Sequence, residues 1–218
     1  ISTAVLRSVP LFSSVPEEQL RLLTTVVTRR STTRGSIIMA AGDPTDSLYI
    51  ILSGRLKVMM SDADGKEVIL SLLGPGEFFG EMGLIDDNPR SASVVALEPC
   101  ELLAITRRDF KKCMTDNAEM AVAVMRGLVR RLREADRKIG SLALLDVYGR
   151  VARLLLDMSE TVDGQKMVTK RLPKQDIAKM IGASREMVSR VMKDLQTGGF
   201  IEMRGSTILL RDNIVLPE

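Results

Sequence analysis

Within the run from Gly74 to Ser93, the residues Gly80, Glu81, Arg90 and Ser91 have the types and spacing to hold a phosphorylated sugar. Glycine lets the backbone come close to a ligand, and the amides opening a short helical turn at Gly80 can face an anion. A carboxylate at Glu81 can accept hydrogen bonds from a sugar hydroxyl. Arg90 offers a charge-assisted pair to a phosphodiester, and Ser91 adds a hydroxyl to the same group. The competing reading is a glycine-built turn in which Glu81 and Arg90 pair only with each other; the glycines alone do not decide between them.

A second constellation lies between Thr169 and Leu195. Pro173 suits a first helical turn, Ile177, Ala178 and Ile181 give an inner stripe, and Gly182 ends the helix. Ser184 then caps a second helix in which Val188, Val191 and Leu195 face inward, leaving Arg185, Glu186, Ser189 and Arg190 on the opposite side. This is helix-turn-helix spacing, with the base-reading groups near the start of the second helix. Arg185 and Arg190 can each bond guanine O6 and N7, and Glu186 can accept from cytosine N4. Lys174 and Gln175, at the start of the first helix, are placed for phosphate. A charge-paired solvated helix competes, because Glu186 and Arg190 stand four apart.

The elements that position these groups are bounded by composition. At 218 residues the chain has room for two domains with separate cores. With no histidine, the commonest metal ligand and general base is absent, which weighs against most hydrolases and metalloenzymes. Cys100 and Cys113 make neither a disulfide framework nor a four-ligand zinc site. No apolar run approaches the ~18 residues of a membrane span and no signal peptide opens the chain, so a soluble cytoplasmic protein is expected. An opening Ile1 rather than Met leads us to expect that native residues precede it. The net charge of +3 lies wholly in residues 147–218, with 12 basic against 9 acidic side chains, and Lys170 to Lys193 holds 7 basic against 2 acidic, a cluster of the kind that meets phosphates.

Val9 to Val27 reads as a turn at Val15-Pro16 and a short helix whose Leu20, Leu22, Leu23 and Val26 pack on the segment C-terminal to it. From Thr33, glycines punctuate the apolar stretches 36–39, 48–52, 56–59 and 68–73, strands of an antiparallel roll or barrel. Ala121, Met125, Leu128, Leu132, Ala135, Ile139 and Leu142 then form a heptad stripe, weakened only by Gly127 and Gly140. It predicts a helix pairing with a copy of itself, or an amphipathic core helix. Asp146 is a good N-cap for a helix from Val147, whose apolar face comes from Leu154, Leu155, Leu156 and Met158. Ser159 to Gln165 reads as a polar loop. Gly198 to Leu210 reads as a hairpin turning at Arg204-Gly205-Ser206, with Arg204 near a DNA backbone.

Gly42-Asp43, Leu48-Tyr49-Ile50-Ile51-Leu52-Ser53-Gly54, Gly76-Glu77-Phe78-Phe79-Gly80-Glu81-Met82-Gly83-Leu84 and Arg90-Ser91-Ala92 together resemble the cyclic-nucleotide-binding β-roll of the CRP/FNR (catabolite activator) family of transcription regulators. The likeness runs from about Val9 to Arg211. It implies an α+β chain with a nucleotide-binding roll at 1–117, a dimerisation helix and hinge at 118–146, and a winged helix-turn-helix domain at 147–218. On the family motif Gly80 and Glu81 fall at the ribose and Arg90 and Ser91 at the cyclic phosphate. Arg131 aligns with an arginine beside the nucleotide, but the pair that contacts adenine falls on Ala135 and Asp136 instead of Thr and Ser. Ala135 has no hydrogen-bonding side chain, which leaves cyclic AMP, cyclic di-GMP and cyclic GMP all open as effector. The family's iron-sulfur and haem sensors need four cysteines or, usually, a histidine, so neither cofactor is expected, nor is a metal.

The resemblance also implies partners: double-stranded DNA, a second copy of the chain, and RNA polymerase at the 159–165 loop, with no membrane. Arg185 and Glu186 match the catabolite-activator branch and Ser189 before Arg190 the oxygen-regulator branch, implying a two-fold symmetric operator of the TGTGA or TTGA type. One rival is a ligand-independent regulator with a vestigial roll. Another is a nucleotide-metabolising enzyme, disfavoured because no nucleophile–base pair or metal cluster is visible.

Overall fold

The computed structural model describes residues 1–170, 172–211 and 214. Arg171, counted in the basic cluster, lies outside the described residues, as do positions 212–213 and 215–218 of the expected third segment. The chain divides into two compact units, Ile1–Arg131 and Leu132–Glu218.

The first unit opens with helix α1 (Thr3–Arg7), a 3-10 turn at Pro10–Phe12 and helix α2 (Glu17–Val26). Leu20 and Leu23, three apart on one face of α2, are buried, but Leu22 is 65% exposed and points away, contrary to its expected packing. Strands β1 (Thr28–Thr32), β2 (Ile37–Met39), β3 (Ser47–Ser53), β4 (Leu56–Ser61), β5 (Glu67–Leu73) and β6 (Phe78–Phe79) come next, then the short helix α3 (Met82–Ile85) and strands β7 (Ser93–Ala96) and β8 (Cys100–Thr106). They form two antiparallel four-stranded sheets, ordered β1-β8-β3-β6 and β2-β7-β4-β5. Between the sheets lie Ile38, Tyr49, Ile51, Phe79, Val94 and Leu102. On the outer face of the first sheet, Leu48, Ile50, Leu103 and Ile105 join Leu20, Leu23 and Phe110 in a separate core. Strand β3 is therefore buried on both faces, which is why 48–52 is a continuous apolar run and not an alternating one.

Helix α4 (Arg107–Asp116) is capped by Thr106, whose hydroxyl accepts from the Asp109 amide at 3.2 Å. Helix α5 (Ala118–Leu144) starts at Asn117, whose Oδ1 accepts from the Met120 amide at 2.9 Å and whose Nδ2 donates to Gln19 Oε1 at 2.6 Å. The buried residues of α5 are Met120, Val124 and Gly127, packed in the first unit. The heptad stripe lies one position, ~100°, around the helix from that row. Met125, Leu132, Ile139 and Leu142 of that stripe are exposed, together with Val129. The helix thus has two apolar faces, and the heptad, of which Leu128 packs partly against the roll's core, is mostly not the one its own roll covers.

In the second unit, helix α6 (Val147–Met158) begins at Asp146, whose carboxylate accepts from the Gly149 amide at 2.8 Å. Its face centres on the buried Val151, Ala152 and Leu155, with Leu154, Leu156 and Met158 packed at the margin. The stretch read as a polar loop is instead a hairpin, β9 (Glu160–Val162) and β10 (Gln165–Val168), turning at Asp163-Gly164 with φ of 48° and 76°. Positive φ at both turn residues is the two-residue hairpin geometry that Asp-Gly favours. Helices α7 (Lys174–Ile181) and α8 (Arg185–Thr197) come after it, then strands β11 (Ile201–Arg204) and β12 (Thr207–Leu210), which close a sheet ordered β11-β12-β10-β9. Pro173 stands at the N-cap of α7 and not inside its first turn. Among the described residues, no helix is long and apolar enough to cross a membrane.

Candidate functional site

Gly80 ends β6 with φ at +85°, and a Cβ there would meet Arg90 Nη1 at 2.6 Å and the Ser47 carbonyl at 3.0 Å. Only glycine fits both constraints, so the chain is pressed against the Arg90 guanidinium. Arg90 Nη1 donates to the Gly80 carbonyl at 2.8 Å, and Nη2 donates to the Ser47 carbonyl at 2.7 Å and to Asp46 Oδ1 at 3.2 Å. The Arg90 side chain is 3% exposed, whereas Asp46 is 78% exposed, so the cation is desolvated and its one carboxylate partner is solvated. Such a cation attracts a second anion more strongly than a surface arginine does. Ser91 is exposed, its hydroxyl 3.8 Å from the Met82 sulfur.

Glu81 does not pair with Arg90, which removes the competing reading of this turn. Its carboxylate is 1% exposed, and Arg131 Nη1 donates to Oε1 at 2.6 Å. The other oxygen, Oε2, is buried without a hydrogen-bond partner. A buried carboxylate oxygen left unmatched is costly, and a donor from a bound molecule would satisfy it. Arg131 also donates to the Phe78 carbonyl and lies over the Phe78 ring at 5.0 Å. One helical turn earlier, a Cβ on Gly127 would lie 2.6 Å from that ring, so Phe78 rests directly on the backbone of α5. Gly127, which weakens the heptad, is the residue that admits this contact. Sequence reasoning misses Phe78 and Gly127 as site residues; their only signal is a glycine one turn before Arg131 within a helical stripe.

In the second unit, Ser184 accepts from the Met187 amide at 3.1 Å and caps α8, while Gly182 ends α7 with φ at +66°. Val188, Val191 and Leu195 are buried and Ile177, Ala178 and Ile181 meet them. Lys174, Gln175, Ser184, Arg185, Glu186 and Arg190 are exposed, and Ser189 is half-buried. Neither Glu186 nor Arg190 forms an ion pair among the described residues, which removes the charge-paired reading of this helix. Arg204, at the tip of the β11–β12 hairpin, donates to Glu202 Oε1 at 2.8 Å, and Arg211 meets the same carboxylate. These bonds, Arg204's first, hold Glu202 below the usual carboxylate range.

Two family models match the chain, a cyclic nucleotide-binding domain over residues 29–117 and a Crp-like helix-turn-helix domain over 149–214. The cAMP-activated global transcriptional regulator Vfr of Pseudomonas aeruginosa is 36% identical over 189 residues, covering 84% of this chain and 88% of the relative. The CRP-like cAMP-activated global transcriptional regulator of Mycobacterium tuberculosis is 32% identical over 213 residues, 96% of this chain and 95% of the relative. The chain belongs to the CRP/FNR family of transcription regulators. Among solved structures of the family, the c-di-GMP responsive global regulator CLP of Xanthomonas campestris is 30% identical with a TM-score of 0.78, covering 91% of this chain and all of CLP. The α+β architecture of a nucleotide-binding β domain, a long helix and a helix-turn-helix domain is that of the CRP/FNR proteins. Its relatives are regulators and not enzymes, so the nucleotide-metabolising alternative is set aside. Among the described residues no group of His, Cys, Asp and Glu could hold a metal ion.

Proposed function

We propose that the chain is a homodimeric, sequence-specific DNA-binding regulator controlled by a cyclic nucleotide held by Gly80, Glu81, Arg90 and Ser91 and sensed by Arg131. The observation that carries the ligand reading is the buried Glu81 Oε2, which lacks a donor beside the glycine and the desolvated Arg90 cation. A ribose hydroxyl supplies a donor of that kind, and a cyclic phosphate supplies the anion. Because Arg131 bridges Glu81 and the Phe78 carbonyl, a ligand that competes for Glu81 bears on α5. Two copies of α5, joined along Met125, Leu132, Ile139 and Leu142, would bury the exposed stripe. About 1 to 3 kcal/mol of coupling between nucleotide and DNA suffices for a switch. Residues 1–117, 118–146 and 147–218 serve respectively as sensor, dimerisation helix and reader.

On the DNA side, Arg185, Glu186, Ser189 and Arg190 read base edges, and Lys174, Gln175, Ser184 and Arg204 hold the backbone. The site of action is the cytoplasm, and RNA polymerase meets the β9–β10 hairpin. Cyclic AMP and cyclic di-GMP are the leading effectors, since two relatives are described as cAMP-activated and CLP as c-di-GMP responsive. One observation favours a second reading, a ligand-independent regulator: Arg90 already donates to two backbone carbonyls, as a purely structural arginine would. Titration calorimetry with cyclic AMP, cyclic GMP and cyclic di-GMP separates the two. Saturable binding of one nucleotide, weakened by Glu81→Ala, supports the regulated switch, and no heat with any of the three supports the vestigial roll.

A further inference from the structure

Apart from those of α5, the large apolar side chains exposed in the second unit, among the described residues, are two methionines, Met187 at 45% and Met203 at 43%. Met187 lies in the first turn of α8 and takes no part in the apolar cluster of Val188, Val191, Met192 and Leu195. Its thioether therefore stays in water in the first turn of α8, three residues before the exposed Arg190 and so its neighbour on the helix surface. Side chains of a first helical turn lean toward the N-terminal end, which is the end a recognition helix presents to base edges. At the start of the same helix, Arg185 suits guanine and Glu186 suits the amino group of cytosine. Neither matches the one apolar mark in the major groove, the C5-methyl of thymine.

We propose that Met187 is a specificity-determining residue that packs its thioether on the methyl group of a thymine in each operator half-site. The inference rests on α8 being the recognition helix. An unbranched, polarizable side chain suits this role, because it fills an irregular gap without demanding one geometry. Covering one methyl group is worth about 4-fold in affinity per half-site, and two equivalent half-sites about 15-fold.

The test uses the full chain with cyclic AMP or cyclic di-GMP present, first to select duplexes from a randomised pool. In the selected duplex each symmetric pair of thymines is then replaced in turn by deoxyuridine, which lacks only the methyl. Wild type is expected to lose about 15-fold at one pair. Met187→Ala should bind the thymine duplex correspondingly more weakly and no longer distinguish the two, with an unchanged unfolding midpoint because the side chain is exposed. Equal wild-type affinity for every deoxyuridine duplex, or discrimination retained in Met187→Ala, would overturn the proposal while leaving α8 as the reader. A selection that enriches no duplex would overturn both.

Discussion

Arg90 is at once a candidate ligand group and a structural one, and the two roles predict different substitutions. Arg90→Ala removes the phosphate partner and also strips the donor from the Gly80 and Ser47 carbonyls. Leaving such groups unsatisfied costs ~1 to 3 kcal/mol each, so nucleotide affinity and denaturant stability should fall together. Arg90→Lys, which keeps the charge and one bond, should retain more stability while still losing the two-pronged phosphate grip, and calorimetry beside urea melts checks the separation. Asp87 gives a pH prediction. Its carboxyl is held below the ordinary range first by the Lys111 hydrogen bond and then by the Lys111 and Arg107 charges. A depressed carboxylate stabilises the fold above its unfolded pKa and loses that contribution as pH falls through the folded value. Asp87→Asn should therefore melt slightly lower than wild type at neutral pH, with the two curves converging in strong acid. At this scale the residue types of the site were legible, because Gly, Glu, Arg and Ser each have a narrow chemistry. Arg131 was legible only through the family resemblance, and Asp46 and Ser47 were not legible at all, because they reach Arg90 from the start of β3, more than 40 residues earlier in the chain.

At the scale of elements, the contact between Phe78 and α5 is the joint most sensitive to a single methyl group. Gly127→Ala gains ~1 kcal/mol of helix propensity but drives a carbon into the ring, and overpacking of that kind costs ~1 to 3 kcal/mol. The variant should be less stable and altered in nucleotide affinity, and Phe78→Leu should relieve it, giving less than additive effects in a double-mutant cycle. In the helix-turn-helix, Glu186→Ala should relax base preference at one position. Lys174→Ala should weaken all duplexes alike and flatten the dependence on salt, and anisotropy on operator and random DNA distinguishes them. The long α5, the α7–α8 pair and β3 to β5 could be read from periodicity, caps and glycine punctuation. Strand β1 could not: Thr28-Arg29-Arg30-Ser31-Thr32 has no apolar period because it is a solvated edge, where charge discourages unwanted pairing. The β9–β10 hairpin did carry its signal, Asp163-Gly164, but the polar residues flanking it suggested a loop.

For the whole molecule, α5 is proposed to serve two surfaces at once, one against its own roll and one toward a second copy. Leu132→Asp places a charge in the exposed stripe without touching Met120, Val124 or Gly127, and analytical ultracentrifugation should show it shifted toward monomer with its roll intact. The most direct measurement of the central claim is operator affinity of the full chain, by fluorescence anisotropy at fixed salt, titrated with and without saturating cyclic AMP and then cyclic di-GMP. One of them is expected to change the dissociation constant by about 5- to 150-fold, the range that 1 to 3 kcal/mol of coupling gives, and Glu81→Ala to abolish the change. Identical operator curves with either nucleotide, from a protein shown by calorimetry to bind it, would contradict the account.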